Sequence, residues 1–366
     1  MKLIVAGGGT GGHLYPGLAV ADEVKRRGGE VLFVGTERGI EMRAVPAAGY
    51  PLEVLKVTGF KRMGAVAASR AMFRLPLAFW QSWRILQRFS PDCVLGVGGY
   101  ASGPLVLMAA LTGRATALQE QNSAAGFTNR VLGRFAKRVF LGFPQAASAF
   151  APRKCVATGN PVRRAFVQHA QASSGAAGNG TLLVVGGSQG AKAVNNLMLG
   201  AMQHLAGLGG APPVVHQTGE TDHERVTQAY AAAGLATQAR VVPFIDDMVA
   251  AYSSADLVIG RAGALTLAEL AIIGRPAILI PLPTAADDHQ TKNAIAFADA
   301  GAAVVLRQSE TTPQVLGDLI AQLLADPARL QRMGAAMRAL GRPQAAADVV
   351  SGLEALATST LAPTGP

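Results

Sequence analysis

Two glycine-rich runs each follow a short apolar stretch and open a helical pattern. Leu3-Ile-Val-Ala6 leads into Gly7-Gly-Gly-Thr-Gly-Gly12, with His13 next, and Leu182-Leu-Val-Val185 leads into Gly186-Gly-Ser-Gln-Gly190. Glycines let the backbone approach a bulky polar group. The helix start behind them offers unpaired N–H groups and a positive dipole end, so a diphosphate or nucleotide is the expected guest. His13 stands at such a turn, where a general base or a phosphate ligand is useful. The run Arg261-Ala-Gly-Ala-Leu-Thr-Leu-Ala-Glu269 follows the apolar Leu257-Val-Ile259 and puts Glu269 in the helix after it. A carboxylate accepts two hydrogen bonds side by side and can grip the paired hydroxyls of a ribose. Asp287-Asp-His-Gln290 gathers polar groups behind Ala277-Ile-Leu-Ile280. Plain tight turns, helix-dipole charge and a solvated loop are the bland alternatives for these residues.

Other chemistries fit less well. Gly7, Gly9 and Gly12 satisfy G-x-G-x-x-G, but a nicotinamide-dependent oxidoreductase also needs an acid ending the second strand. Here Gly35-Thr36 follows Val34, and Glu37 is displaced into the loop. No Gly-Lys-Ser/Thr follows Gly190, so that loop is not a nucleoside-triphosphate P-loop. Two cysteines, Cys93 and Cys155, are too few for a disulfide framework or a zinc site. No clustered His, Cys and carboxylate set stands out, so neither a metal nor a cofactor is expected. A nucleic-acid-binding protein is disfavoured because no recognisable binding module is present.

The elements that must position these residues read as two α/β domains within 366 residues. Continuous apolar runs at Val31–Val34, Cys93–Val97, Ala115–Leu118 and Arg138–Leu141 alternate with helical patterns in the first half. Runs at Pro213–Val215, Arg240–Val242, Leu257–Ile259, Ala277–Ile280 and Ala303–Leu306 do so in the second. Such runs fit parallel sheets covered on both faces. The polar, small-residue stretch 171–180 reads as a loop near the boundary. Two Rossmann-like domains in tandem follow, with ligands expected at the strand carboxyl ends and in a cleft between the domains.

Charge divides the halves. Residues 1–160 carry 20 Lys and Arg against 8 Asp and Glu, whereas residues 161–366 carry 13 against 15. An anionic partner for the first domain alone is implied. If residues 70–89 are helical, Met72, Leu75, Phe79, Trp83 and Leu86 share a core-facing side. Arg70, Arg74, Arg84 and Arg88 share the other, with Phe73, Leu77 and Trp80, as an interfacial surface would. Phe60, Lys56, Lys61 and Arg62 add to that patch, and Pro76 is expected to split the helix. No run approaches the roughly 18 apolar residues of a spanning helix, and no signal peptide is evident, so a cytoplasmic location is expected.

Seven motifs occur in order: Gly8-Gly-Thr-Gly-Gly-His13, Gly98-Gly-Tyr-Ala-Ser-Gly-Pro104, Glu120-Gln-Asn122, Gly159-Asn-Pro-Val-Arg163, Gly186-Gly-Ser-Gln-Gly-Ala191, Gly263-Ala-Leu-Thr-Leu-Ala-Glu269 and Asp288-His-Gln290. As a set they resemble the MurG family, bacterial N-acetylglucosaminyltransferases that convert lipid I to lipid II in peptidoglycan synthesis. The resemblance spans about residues 1–345. It implies a GT-B fold, with an acceptor and membrane domain over 1–165, a UDP-sugar domain over 166–342 and a helix near 343–357 returning to the first. It also implies UDP-N-acetylglucosamine as donor, undecaprenyl-diphospho-N-acetylmuramoyl-pentapeptide as acceptor, a β-1,4-linked product formed with inversion, and a peripheral place on the cytoplasmic face of the inner membrane. A related transferase with another acceptor is the alternative.

Carried over by that resemblance, donor contacts fall on Thr10, Gly11, Gly12, Asn122, Arg163, Ser188, Ile245, Ala264, Leu265, Thr266, Leu267, Ala268, Glu269 and Gln290. The backbone at Ile245 would read uracil, Glu269 the ribose, Ser188 the diphosphate, and Gln290 and Asn122 the sugar. His13, Tyr100 and Glu120 would line the acceptor side. The family usually reads His-Glu-Gln-Asn where this chain has Gln119-Glu-Gln-Asn122, so His13 becomes the leading candidate base, with Glu120 behind it.

Overall fold

Strand β1, Lys2–Gly7, is buried from Leu3 onward and lies inside the first of two parallel sheets, with a strand paired on either side. In the computed structural model the described residues are 1–37, 39–57, 65–172, 180–187 and 190–361. They divide into two units, Met1–Arg163 with Arg342–Pro366, and Arg164–Gly341. Ser188 and the Phe60, Lys61 and Arg62 loop lie outside the described residues, as do the side chains of Arg70, Phe73 and Arg74.

The first sheet continues with β2 (Glu30–Thr36), β3 (Leu52–Leu55), β4 (Cys93–Gly98), β5 (Ala115–Glu120), β6 (Arg138–Leu141) and β7 (Cys155–Ala157), in the order β3-β2-β1-β4-β5-β6-β7. The second is built from β8 (Leu182–Val185), β9 (Val214–Gln217), β10 (Ala239–Val242), β11 (Leu257–Gly260), β12 (Ala277–Leu279) and β13 (Ala303–Val305), in the order β10-β9-β8-β11-β12-β13. Every pairing is parallel, as the continuous apolar runs require. In each sheet the chain builds outward on one side of its first strand and then crosses to the other. The reversal falls between β1 and β4, and again between β8 and β11. Strands β3 and β7 were not among the apolar runs, because each is a short, half-exposed edge strand.

Core layers lie on both faces of the first sheet. Val5, Leu14, Phe33 and Leu95 pack on one face with Val349, Val350, Leu353 and Leu356 of the helix Ala345–Leu361. That helix packs on the helix Gly11–Arg26, and Arg27 donates to Glu354 (2.8 Å), Ser351 (3.1 Å) and the carbonyl of Ala347 (3.1 Å). The other face holds Ile4, Val34, Ile85, Leu86 and Leu105.

The helix containing Pro76 corrects two expectations. It runs unbroken over Ala65–Phe89, so the proline does not divide it. Its buried side is Ala78, Ser82, Ile85 and Leu86, and Trp83 is 44% exposed instead of facing the core. No helix among the described residues is long and apolar enough to cross a membrane.

Under the second sheet's first loop lies a buried polar chain. His216 Nδ1 meets the Tyr230 hydroxyl (3.0 Å), and His216 Nε2 meets Asn195 Oδ1 (3.1 Å). Asn195 donates to Asp222 (2.7 Å) and to the Thr218 carbonyl (3.1 Å), and Arg225 closes a two-pronged pair with Asp222. Burial pushes the His216 imidazole down from 6.5 to about 4, against a smaller opposing pull from Asp222. Its folded value lies below its unfolded one, so the unfolded chain takes up the proton first as pH falls. Stability from this group is therefore full above pH 6.5 and is lost as pH falls toward 4, by roughly 3 kcal/mol at the limit. Chemical denaturation of the whole chain between pH 7 and 4.5 should show that loss, and His216→Gln should flatten the slope. An unchanged slope in the variant would mean that other groups carry it.

Candidate active site

In an open α/β sheet, ligands settle outside the strand carboxyl ends where the strand order reverses. In the first unit that place is framed by the glycine loop after β1 and the Gly98–Ser102 turn after β4. In the second it is framed by the Gly186–Gly190 loop after β8 and the Arg261–Gly263 turn after β11. Both glycine runs singled out from sequence thus occupy reversal points.

Thr10 is the N-cap of the helix Gly11–Arg26, and its carbonyl takes the first helical bonds from His13 (3.2 Å) and Leu14 (3.1 Å). Gly11 and Gly12 therefore stand in the first turn, where N–H groups have no partner within the helix. The loop is held from below by a carboxylate that the sequence reading missed. Glu41 is fully buried and accepts from the N–H of Gly9 (2.7 Å), the N–H of Thr36 (2.9 Å) and the hydroxyl of Thr36 (2.8 Å). It stands beyond the position where a ribose-binding acid was sought, and among the described residues its bonds run to Gly9 and Thr36.

His13 lies one turn from Thr10, with Nδ1 3.1 Å from Gln121 Oε1. Its ring rests on the backbone of Gly98, whose φ is +96°. A Cβ there would come within 2.9 Å of Nδ1 and 3.0 Å of Cε1. Only glycine takes that conformation readily and leaves the ring its place. Tyr100, two residues on, is exposed.

Glu120 ends β5 and is 1% exposed. Its carboxylate accepts from the N–H of Asn122 (3.0 Å), the N–H of Gly126 (3.0 Å) and the Asn129 amide (2.9 Å). So enclosed, it holds the turn that presents Asn122. Arg163 lies over the ring of Tyr15, 5.4 Å from its centroid, on the same unit as His13.

The second unit's half is built alike. Gly190 donates to the Gly187 carbonyl (2.9 Å), and the Gln217 amide braces that same carbonyl (3.1 Å). Gly263 caps the helix Ala264–Ile273. Ala264, Leu267 and Glu269 are buried, while Leu265, Thr266 and Ala268 are half-buried. Arg261, which carried no role in the sequence reading beyond its run, donates to the carbonyls of Ile280 (2.9 Å) and Pro281 (3.1 Å) and to Gln308 (2.8 Å). Burial draws its guanidinium below the usual range. It ties the β11 turn to the end of β12, beside Gln290, whose Oε1 accepts from the N–H of Leu282 (3.0 Å). Ile245 is half-buried in the loop between β10 and the helix Met248–Ser254.

Two parallel-sheet units, each with a glycine loop at its reversal point and a helix start behind it, make up a GT-B type fold. The Glycosyltransferase family 28 N-terminal domain matches residues 3–141, and the Glycosyltransferase family 28 C-terminal domain matches residues 181–349. The chain belongs to the MurG branch of glycosyltransferase family 28. It is 51% identical over 351 residues to the UDP-N-acetylglucosamine--N-acetylmuramyl-(pentapeptide) pyrophosphoryl-undecaprenol N-acetylglucosamine transferase of Anaeromyxobacter dehalogenans, covering 95% of this chain and 91% of that one. It is 50% identical to the Myxococcus xanthus enzyme of the same name, covering 100% and 95%. The crystal structure of Acinetobacter baumannii MurG superimposes with a TM-score of 0.78 at 36% identity, over 97% of this chain and 99% of that one.

The loop geometry makes Glu41 a testable element. Glu41→Ala strips three donors of their acceptor and should cost about 2–3 kcal/mol in chemical denaturation, the scale of buried hydrogen bonds to a charged group. An equally stable variant would show that the glycine loop holds itself.

Proposed function

We propose that this glycosyltransferase moves N-acetylglucosamine from UDP-N-acetylglucosamine to N-acetylmuramyl-(pentapeptide) pyrophosphoryl-undecaprenol, lipid I, to make lipid II. The observation that carries the proposal is His13. It stands at the first unit's reversal point, seated on Gly98 and bonded to Gln121, beside a helix start able to face an anion. The full-length identity to enzymes named for that transfer supports the choice of substrates.

In this reading the donor belongs mainly to the second unit. Glu269 takes the ribose hydroxyls, the backbone at Ile245 reads uracil, and Ser188 with the helix behind it takes the diphosphate. The Ala264–Ala268 stretch lines that site. Gln290 and Asn122 hold the sugar, and the Gln290 amide N–H groups can donate to it while Oε1 keeps its bond from Leu282. Thr10, Gly11, Gly12 and Arg163 contribute from the first unit. His13 and Tyr100 serve the acceptor. As the acceptor's 4-hydroxyl oxygen bonds to the sugar C1, its proton passes to His13. The bond from C1 to the diphosphate oxygen breaks, and its electron pair leaves with UDP. Attack opposite the leaving group inverts C1 and gives the β-linkage. A positioned base is worth about 100- to 10,000-fold, and fixed donors at the helix starts stabilise the departing charge.

The first unit also supplies a membrane-facing surface in this proposal, at the cytoplasmic face of an anionic inner membrane. Leu77 (43%), Trp80 (51%) and Trp83 (44%) are exposed on the helix Ala65–Phe89. Arg84 stacks 4.8 Å from the Trp80 ring. Amphipathic aromatic rings beside cations suit a lipid interface. Arg88, by contrast, is paired with Glu53, which reduces its share of the attraction.

A transfer assay with UDP-N-acetylglucosamine and a lipid I analogue tests the activity directly, and no transfer would overturn it. In that assay Glu269→Ala should weaken donor binding by about 1.5–3 kcal/mol, the worth of a charge-assisted hydrogen bond. His13→Ala should lower kcat and kcat/KM together, as loss of a transition-state interaction does. A rise in donor KM alone would reassign His13 to the diphosphate. Replacing Trp80 and Trp83 with Ala and Arg84 with Gln should release the protein from anionic vesicles at low salt without changing donor affinity. Equal sedimentation of the two proteins would place membrane contact elsewhere.

A further inference from the structure

We propose that Gln121 is a positioning residue that fixes which nitrogen of His13 carries the proton. The inference rests on the reading of His13 as the base. Gln121 directly follows β5 and is 1% exposed. Its Nε2 lies 3.0 Å from the carbonyl of Val97 and 3.2 Å from the carbonyl of Gln119. Both are backbone acceptors with no proton to give, so the amide has one satisfactory orientation. Turned over, it would set its oxygen against two carbonyl oxygens in a buried site, a cost of a few hydrogen bonds. Its own carbonyl accepts from the Asn160 amide (2.8 Å), which secures the backbone at the same point.

With both N–H groups spent on carbonyls, Oε1 is what remains for His13, and it only accepts. The Nδ1 atom 3.1 Å away must therefore carry hydrogen. A neutral imidazole has one N–H and one lone pair, so the lone pair stands on Nε2. The other tautomer would oppose two lone pairs across that distance. Gly98, lying against Nδ1 and Cε1, limits the ring's swing and keeps the contact in register. Gln121 thus sets the proton-accepting atom without bringing charge to it, in the way that the partner of one ring nitrogen decides the state of the other. As the acceptor is deprotonated, Nε2 takes the proton while Nδ1 keeps its bond to Gln121, so neither side chain has to move.

The tautomer is measurable without turnover. In the full-length protein carrying 15N-labelled histidine, the ring nitrogen shifts of His13, assigned by their loss in His13→Ala, should report Nδ1–H and an unprotonated Nε2 at a pH where the ring is neutral. Gln121→Met removes the acceptor at similar volume. It should populate the Nε2–H form and lower kcat by about 10- to 100-fold, with KM for UDP-N-acetylglucosamine within about twofold, as expected for a group acting only through the transition state. The proposal is overturned if wild-type His13 carries its proton on Nε2, or if Gln121→Met keeps both Nδ1–H and full kcat. Nδ1–H in the wild type together with full turnover in His13→Ala would instead overturn the base reading and leave the tautomer assignment standing. Should Gln121→Met fail to fold, the wild-type spectrum still decides.

Discussion

The first unit's reversal point rests on a backbone contact that leaves no space for side chains. At the end of β1 the register against β4 shifts between Ala6 and Gly7. Gly8 then donates to the carbonyl of Gly98 at 3.3 Å. Gly7 lies so near that carbonyl that a Cβ would come within 2.3 Å of its oxygen. Ser102, fully buried, staples the pair: its hydroxyl donates to the carbonyl of Ala6 (2.7 Å) and accepts from the N–H of Gly98 (3.1 Å). The direction of the glycine loop, the seat of the His13 ring and the start of the helix behind it all follow from this contact. Glu41 then fixes the loop from the other side.

The second unit reaches the same end by different means. Its loop is pressed against the Thr218 carbonyl, which would lie 2.1 Å from a Cβ at Gly190. That carbonyl is held by Asn195, itself bound to His216 and Asp222. A buried carboxylate steadies one loop and a neutral amide–imidazole chain braces the other. In both, the buried polar groups that hold the loop are paired with one another or with the backbone.

Much of this was legible in the sequence, for identifiable reasons. Strands buried on both faces cannot alternate, so Leu182–Val185 and Cys93–Val97 declared themselves as continuous apolar runs. Glycine clusters directly behind two of them marked the reversal points. Edge strands such as Leu52–Leu55 lack that signature because one side meets solvent. Pro76 misled because its penalty is local, whereas the burial of Ala78, Ile85 and Leu86 acts along the whole helix. The helical-wheel assignment of Trp83 failed because angular spacing does not say which side the neighbouring elements cover. Glu41 and Gln121 were hidden for another reason. Their partners lie up to 32 and 108 residues away, at Gly9 and His13, and nothing local distinguishes a buried acceptor from a surface one.

The first unit is interrupted in sequence by the whole of the second. Val349, Val350, Leu353 and Leu356 belong to its core, and Arg27 meets Glu354 across 327 positions of chain. On the ribosome, then, the second unit is complete and free to fold while one face of the first still lacks its covering helix. Closing a loop that long is entropically slow, and local contacts form before distant ones. The portion carrying His13 is thus the last to be finished. A chain that stops short of this helix leaves part of that apolar sheet face uncovered.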